Sequence, residues 1–521
     1  MRLLLSIMIL LLCGCATVER APVPRMKIPE LDNPWYQSAQ TELSAALARS
    51  GRTGTARNVI FFIGDGMSLS TVTAARILEG QIQGSSGEEH ALAFEHFPYV
   101  ALSKTYNTNA QVPDSAGTAT AMLSGVKTLI GVLGVDATVR PGDCSSLAAS
   151  SVPTLLEYAE QAGLATGIIS TARITHATPA SSYAHAPDRE WEASGDGECA
   201  DIASQLISFS HGDGPEVVLG GGRAAFMPVT SNDPEYPAKT GWREDERDLI
   251  GEWVTRYGSD ARYVYNNEQL ADVNLRRTSN LLGLFEPSHM QYEADRNDGP
   301  TGEPSLAELV STAIGMLDRS DAGYFLFVEG GRIDHAHHGS NAYRALHDTI
   351  AMSDAVATAR KMTNADETLI IVTADHGHVL EIAGYPVRGN PILGKVVSIA
   401  EDGSPATDYA RDATGKPYTT LVYGNGPGHL AASDTQPEGP KTYPHFAQSR
   451  QETSRGRADL SDIDTEHPNY MQESAIPTTS ETHSGTDVAI YADGPAAWLF
   501  QGVHEQNYIF HVMAYALFGQ N

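Results

Sequence analysis

The chain has 521 residues, with 35 basic side chains against 64 acidic ones and a formal net charge of −29 at pH 7. At 41% hydrophobic and 19% charged residues it is no disordered acidic tail, and its length calls for one large domain with insertions or for two to three domains. The negative balance argues against sequence-independent nucleic-acid binding and repels anionic substrates at long range, so chemistry on a phosphate or sulfate would need strong local positive charge.

In chain order, Arg2 precedes an apolar run from Leu3 to Leu12. That run is shorter than the roughly 20 residues that span a bilayer and suits the core of a secretory signal. Leu12-Cys13-Gly14-Cys15 resembles a bacterial lipoprotein signal. It predicts a cleaved signal over residues 1–14 and a lipid on Cys15; an ordinary cleaved signal is the alternative. Residues 15–33, with Pro22, Pro24 and Pro29, read as a tether. Such a chain is exported, to the bacterial periplasm or cell surface. No later run is long and apolar enough to span a membrane. Cys144 and Cys199 remain in the mature chain. In an exported protein they are most simply a disulfide, with two free buried thiols as the alternative.

Val59–Ile63, Thr166–Ser170, Tyr324–Val328 and Thr368–Val372 are short apolar runs that read as buried parallel strands. Helical patterns lie between them, as at Val152–Ala162 and Ser305–Leu317. The alternation predicts an α/β fold with a largely parallel sheet. Residues 388–481 break it, being rich in Pro, Gly, Ser and Thr; they read as an insertion on the sheet's loops. Regular pattern returns with a strand at Val488–Tyr491 and a helix at Asn507–Phe518.

Ligands of open α/β sheets bind beyond the carboxyl ends of strands, and here those ends carry the reactive side chains. Gly64-Asp65-Gly66 follows the first strand. Glu329 and the run from Arg332 through Asp334 to His338 follow the third, and Asp375-His376-Gly377-His378 the fourth. His483 precedes the last strand. One Asp after a strand is ordinarily a turn residue, and a His-rich loop can simply be solvated. Several such exits at one sheet edge point to a metal site instead, with carboxylate and imidazole suiting Zn²⁺ and similar divalent ions and an oxygen-only set suiting Mg²⁺. Ser115, in Pro113-Asp114-Ser115-Ala116-Gly117, is the nucleophile candidate. A serine at a helix start meets backbone N–H groups and the positive end of the dipole. On this segment alone a helix cap is the stronger reading.

Taken together, Pro113–Ala119, Glu329–His335 and Thr373–His376 resemble the alkaline phosphatases, nearer to the animal enzymes than to the enterobacterial form. The resemblance runs from about Asn33 to Phe518 and is weakest between Ser433 and Asn469. It implies an α/β/α sandwich around a central, mostly parallel sheet. The catalytic domain would comprise residues 34–387 and 482–521, interrupted by a small crown-like insertion at 388–481. It implies hydrolysis of phosphate monoesters through a phosphoserine on Ser115, with two Zn²⁺ and one Mg²⁺ per subunit. Asp334, His338 and His483 match the ligands of the first zinc. Asp65, Asp375 and His376 match those of the second. Asp65, Glu329 and Thr178 match those of magnesium, with His176 acting through its bound water. Arg189, otherwise a plain surface arginine, matches the phosphate clamp. Glu235, Phe285, Glu286 and Glu303 match a calcium site of the animal enzymes, with Glu303 standing in place of Asp. Cys144 and Cys199 match a family disulfide.

A homodimer is implied as well, with Trp35–Ala48 as an N-terminal helix reaching the partner. The sequence ends at Asn521 without the apolar tail of a GPI signal, so the Cys15 lipid is the expected anchor and the only membrane contact. The rivals are a phosphodiesterase or sulfatase on a related two-metal core, and a non-catalytic phosphate- or metal-binding lipoprotein.

Overall fold

Val59, Phe61 and Ile63 alternate along one strand with Ile60 and Phe62, and all five are fully buried. A strand with no wet face must lie inside a sheet covered on both sides. The computed structural model shows that arrangement. It describes residues 31–48, 54–196, 199–429, 436, 440–445 and 457–519; the expected signal, Cys15 and the expected tether up to residue 30 lie outside them.

The strands in chain order are β1 (Asn58–Gly64), β2 (Tyr99–Lys104), β3 (Ala165–Arg173), β4 (Val217–Gly221), β5 (Arg262–Val264), β6 (Leu281–Leu284), β7 (Tyr324–Gly330) and β8 (Thr368–Ala374). There follow β9 (Gly377–His378), β10 (Leu380–Ile382), β11 (Val397–Ile399), β12 (Pro405–Tyr409), β13 (Leu421–Gly426), β14 (Ser474–Pro477), β15 (His483–Ser484), β16 (Val488–Asp493) and β17 (Gly502–Glu505). Ten of these form one sheet in the order β17-β2-β16-β8-β1-β7-β3-β4-β6-β5. Its centre is parallel, but β16 runs antiparallel to both β8 and β2. The expected strand at Val488–Tyr491 is therefore present with a direction its apolar pattern did not reveal.

Two apolar clusters sandwich this sheet. Phe61, Phe327 and Ile371 pack on one side with Met122, Leu155 and Phe510 from helices. Ile60, Leu326 and Val372 pack on the other with Val72, Leu309 and Met352. The helices start where short polar side chains cap them. Thr154 accepts from Glu157 N while Glu157 reaches back to Thr154 N, so the helix runs Leu155–Gln161 rather than from Val152. Ser305 and Glu308 form the same box at Leu306–Leu317. The N-terminal helix spans Pro34–Ala48 and the last helix Tyr508–Phe518. Cys144 and Cys199 are joined by a disulfide across 55 residues, a closure worth about 4 kcal/mol by loop entropy.

Between β8 and β16 the chain leaves the main sheet. β10, β13 and β14 make a three-stranded sheet, β11 pairs with β12, and β9 pairs antiparallel with β15. Among the described residues no helix is long and apolar enough to cross a membrane.

Far from the strand exits, buried Glu160 and half-buried Glu216 flank Thr166. Thr166 Oγ1 donates to Glu160 at 2.5 Å, and Thr166 N donates to Glu216 at 2.7 Å. Burial, with Asp213 nearby, pushes Glu160 up to about 7; burial and the Glu160 charge push Glu216 up to about 8. An acid raised by folding favours the native state while protonated, and loses stability as pH climbs from its unfolded value through its folded one. Glu160→Gln and Glu216→Gln are expected to flatten the fall in melting temperature between about pH 5 and 9. Wild-type-like pH slopes in both variants would contradict this.

Candidate active site

The sheet register builds the site. β1 pairs with β7 and with β8 so that Gly64 lies opposite Gly330 and Ala374. Asp65 and Asp375, each one residue further, must then leave the same edge together. Asp375 Oδ1 accepts Gly66 N at 3.0 Å and His376 N at 2.9 Å, which locks the two exits. Gly66 takes φ +70°, and a Cβ there would meet the His378 ring at 2.3 Å, so only glycine serves. Glu329 lies beside Ile63 and Ser170 in register, and Ser170 Oγ donates to it.

Three clusters result. In the first, Asp334 Oδ1 lies 3.3 Å from both His338 Nε2 and His483 Nε2. The β9–β15 pairing sets His483 opposite His378 and so brings it in from the far end of the chain. His338 Nδ1 is 2.6 Å from Glu481 O, and His483 Nδ1 is 2.7 Å from Pro113 O. Each ring therefore carries a proton on Nδ1 and turns Nε2 toward the other, 3.2 Å away, and toward Asp334, an arrangement that a shared cation would satisfy. In the second cluster, His376 Nε2 lies 3.4 Å from Asp65 Oδ1 and 3.2 Å from Asp375 Oδ2. In the third, ligand atoms of Asp65, His176 and Glu329 lie within 4.8 Å of one another, with Thr178 Oγ1 3.4 Å from Asp65 Oδ2. Glu329 Oε1 is buried there without a hydrogen-bond partner, an orphan that a hard cation would satisfy.

The electrostatics agree. Burial, then the charges of Asp375, Asp334 and Glu329, push Asp65 well above the usual carboxylate range. Burial raises Asp375, and it pushes Glu329 up to about 8. Burial would raise Asp334 too, but the facing His338, His378 and His483 outweigh it and hold that carboxyl well below its ordinary value. Burial, reinforced by His483, holds His376 well below the ordinary imidazole value, so it stays a neutral ligand. These donor sets fit divalent cations.

Ser115 begins the helix Ser115–Ser124, but it is not the cap. Asp114 takes that role, accepting Gly117 N at 3.1 Å. The helix-cap alternative for Ser115 is thus set aside, and its hydroxyl is left for the site, 3.2 Å from His376 Nε2 and 3.5 Å from Asp65 Oδ1. Asp114 also accepts Arg189 Nη1 at 3.1 Å. Arg189 Nη2 lies 3.2 Å from His176 Nε2, so one arginine spans from the cap of the Ser115 helix to the third cluster.

The calcium candidates lie elsewhere. Phe285 and Glu286 follow β6; Tyr236 OH donates to Glu286 at 2.7 Å, and Arg223 lies 2.9 Å from Glu235. Gln291 N donates to Glu303 Oε1 at 2.7 Å, while Glu303 Oε2 is buried without a hydrogen-bond partner. Burial, then Glu286, push Glu303 up to about 8. These acids feel one another, but among the described residues they are not one of the tight ligand groups. Residues to which the sequence reading assigned no role are Asp114, Ser170, His378 and Glu481. A signal was present for His378, two places after His376 at a strand exit, and for Asp114, a short polar side chain just before a helix.

An α/β sandwich that gathers a helix-borne hydroxyl, a held guanidinium and three cation-fitting clusters at one sheet edge defines a metal-dependent hydrolase. The comparisons narrow this. The alkaline phosphatase family profile matches residues 56–518. The tissue-nonspecific alkaline phosphatase of Gallus gallus is 44% identical over 518 residues, covering 97% of this chain and 92% of its own. That of Homo sapiens is 43% identical over 497 residues, covering 92% and 88%. The crystal structure of Thermus thermophilus alkaline phosphatase aligns with a TM-score of 0.62 at 25% identity, over 90% of this chain and 92% of that one. The chain belongs to the alkaline phosphatase family, whose members are metal-dependent phosphomonoester hydrolases.

Proposed function

We propose that the protein hydrolyses phosphate monoesters in two displacements at Ser115. The carrying observation is the Ser115 hydroxyl, freed from capping and placed beside Asp65 and His376, with Arg189 held on the adjoining Asp114 cap. Asp334, His338 and His483 would hold one Zn²⁺; Asp65, Asp375 and His376 a second; Asp65, Glu329 and Thr178 a Mg²⁺, with His176 beside it. Bound there, the cations supply Lewis acidity to the entering and leaving oxygens and outweigh the local carboxylate charge. The Ser115 hydroxyl gives up its proton as the Oγ–phosphorus bond forms and the bond to the ester oxygen breaks, and the leaving alkoxide takes up a proton and departs as alcohol. Water then cleaves the phosphoserine, restoring the hydroxyl and releasing inorganic phosphate. Arg189, steadied by Asp114, offers two N–H groups to the non-bridging oxygens and orients the phosphoryl group for both steps.

Relative rates on an aryl phosphate and its bis-ester test the reading: the monoester should be strongly preferred. A faster diester would favour a phosphodiesterase. Arg189→Ala is expected to raise KM and the inhibition constant of inorganic phosphate by about 10- to 100-fold, the worth of charge-assisted hydrogen bonds. Unchanged phosphate inhibition would remove Arg189 from the site.

Glu235, Phe285, Glu286 and Glu303 hold a Ca²⁺, supported by the unpartnered Glu303 oxygen. The chain is exported and tethered by a lipid on Cys15, supported by the N-terminal signal pattern and the disulfide. It works as a homodimer, by analogy with the family.

A further inference from the structure

We infer that Glu481, the last residue of the inserted segment, is a positioning residue for the cation site of Asp334, His338 and His483. The inference rests on the metal reading above. Glu481 is buried and reaches two of the three ligands. Its carbonyl accepts His338 Nδ1 at 2.6 Å, and its own N–H donates back to His338 O at 3.0 Å. Its carboxylate accepts Val379 N at 2.8 Å through Oε1 and His378 Nδ1 through Oε2. The other edge of that ring, His378 Nε2, lies 2.8 Å from Asp334 Oδ1. A chain of bonds thus runs from Glu481 through His378 to the carboxylate shared by the site.

The physical need is orientation. A carboxylate ligand can rotate and an imidazole can turn over unless a second group holds each. His378 is held at both nitrogens and is pressed flat against His337, with ring centroids 4.8 Å apart at 28°. The missing Cβ of Gly66 leaves it the slot it occupies. Without the Glu481 carboxylate, nothing in this chain of bonds holds His378 Nδ1, and Asp334 loses its fixed partner. The same residue precedes Thr482 and His483, so one carboxylate ties the end of the insertion to the site. His337 has a separate tether, Tyr423 OH at 2.7 Å, which supplies a control that leaves Glu481 in place.

The test uses full-length holoenzyme loaded with Zn²⁺ and Mg²⁺. Zinc transfer to a chromophoric chelator is timed, with total zinc by elemental analysis. Glu481→Gln should release one of its two zinc ions about 10- to 100-fold faster than the wild type, while the other leaves at the wild-type rate. Glu481→Asp, which keeps a carboxylate on a shorter arm and guards against a Gln variant that fails to fold, should release it at an intermediate rate. Tyr423→Phe should release both near the wild-type rate. Wild-type zinc release from both Glu481 variants overturns the inference. So does equal acceleration at both sites, or in Tyr423→Phe, since either marks general loosening. A wild type that holds fewer than two zinc ions would instead sink the metal reading on which the inference stands.

Discussion

Ser115→Ala is expected to lower turnover of an aryl phosphate by at least about 10³-fold, the scale on which removal of a nucleophile is measured. It should also abolish trapping of labelled phosphate on acid-quenched enzyme. The substitution is suited to read chemistry rather than folding. Ser115 is the first residue of its helix, Asp114 supplies the cap, and the hydroxyl's side-chain neighbours are site residues. Alanine is a good helix former and fills the same small space. Arg189 and the ligand clusters are untouched, so phosphate should still inhibit. Labelled phosphate found stably on another residue would sink the assignment.

The second large effect is metal removal. Asp65, Glu329, Asp334 and Asp375 are all buried at one sheet edge. Without cations their charges oppose one another, which is why burial and mutual repulsion raise Asp65, Glu329 and Asp375. Chelation should therefore abolish activity and lower the melting temperature together. A ligand that binds only the native state adds about 4 kcal/mol at a thousand times its Kd, so several sites lost at once is a large fraction of a protein's stability. Zn²⁺ with Mg²⁺ should restore both properties. Asp65→Asn should narrow the gap in melting temperature between metal-free and loaded protein, because it removes one repelling charge and weakens two cation sites. Full activity in a demonstrably metal-free sample would refute the metal reading.

The strands legible in the sequence were β1, β3, β7 and β8, continuous apolar runs that only a doubly covered strand tolerates, together with β16, though not its direction. β5 and β6 passed unread. They have three and four residues, too few for periodicity to speak, and their neighbours in the sheet give them their extended form. Residues 388–481 looked irregular because their strands are short and partly exposed, as in β11 and β12.

At the site, carboxylates and imidazoles at strand exits were visible as a pattern, because a parallel sheet delivers consecutive exits to one edge. Asp114 and Ser115 were indistinguishable as caps, since both offer a short side-chain oxygen before the same helix. Arg189 was legible only through the family resemblance, its surroundings in sequence being those of any surface arginine. Glu481 and His378 carried no local sign of their bond, which spans 103 residues.

The sequence by itself therefore determined the class of fold and the chemistry available at the ends of its strands, because both follow from local patterns of apolar and polar side chains. The net charge of −29, which seemed to exclude an anionic substrate, says nothing of the site. Only the tertiary structure decided that point, by bringing four of those acids and four imidazoles from distant segments into contact where cations can neutralise them. It also decided the direction of β16, the cap of the Ser115 helix and the tether at Glu481. Each of these depends on which residues become neighbours across the fold, and proximity of that kind is a property of packing that no local pattern contains.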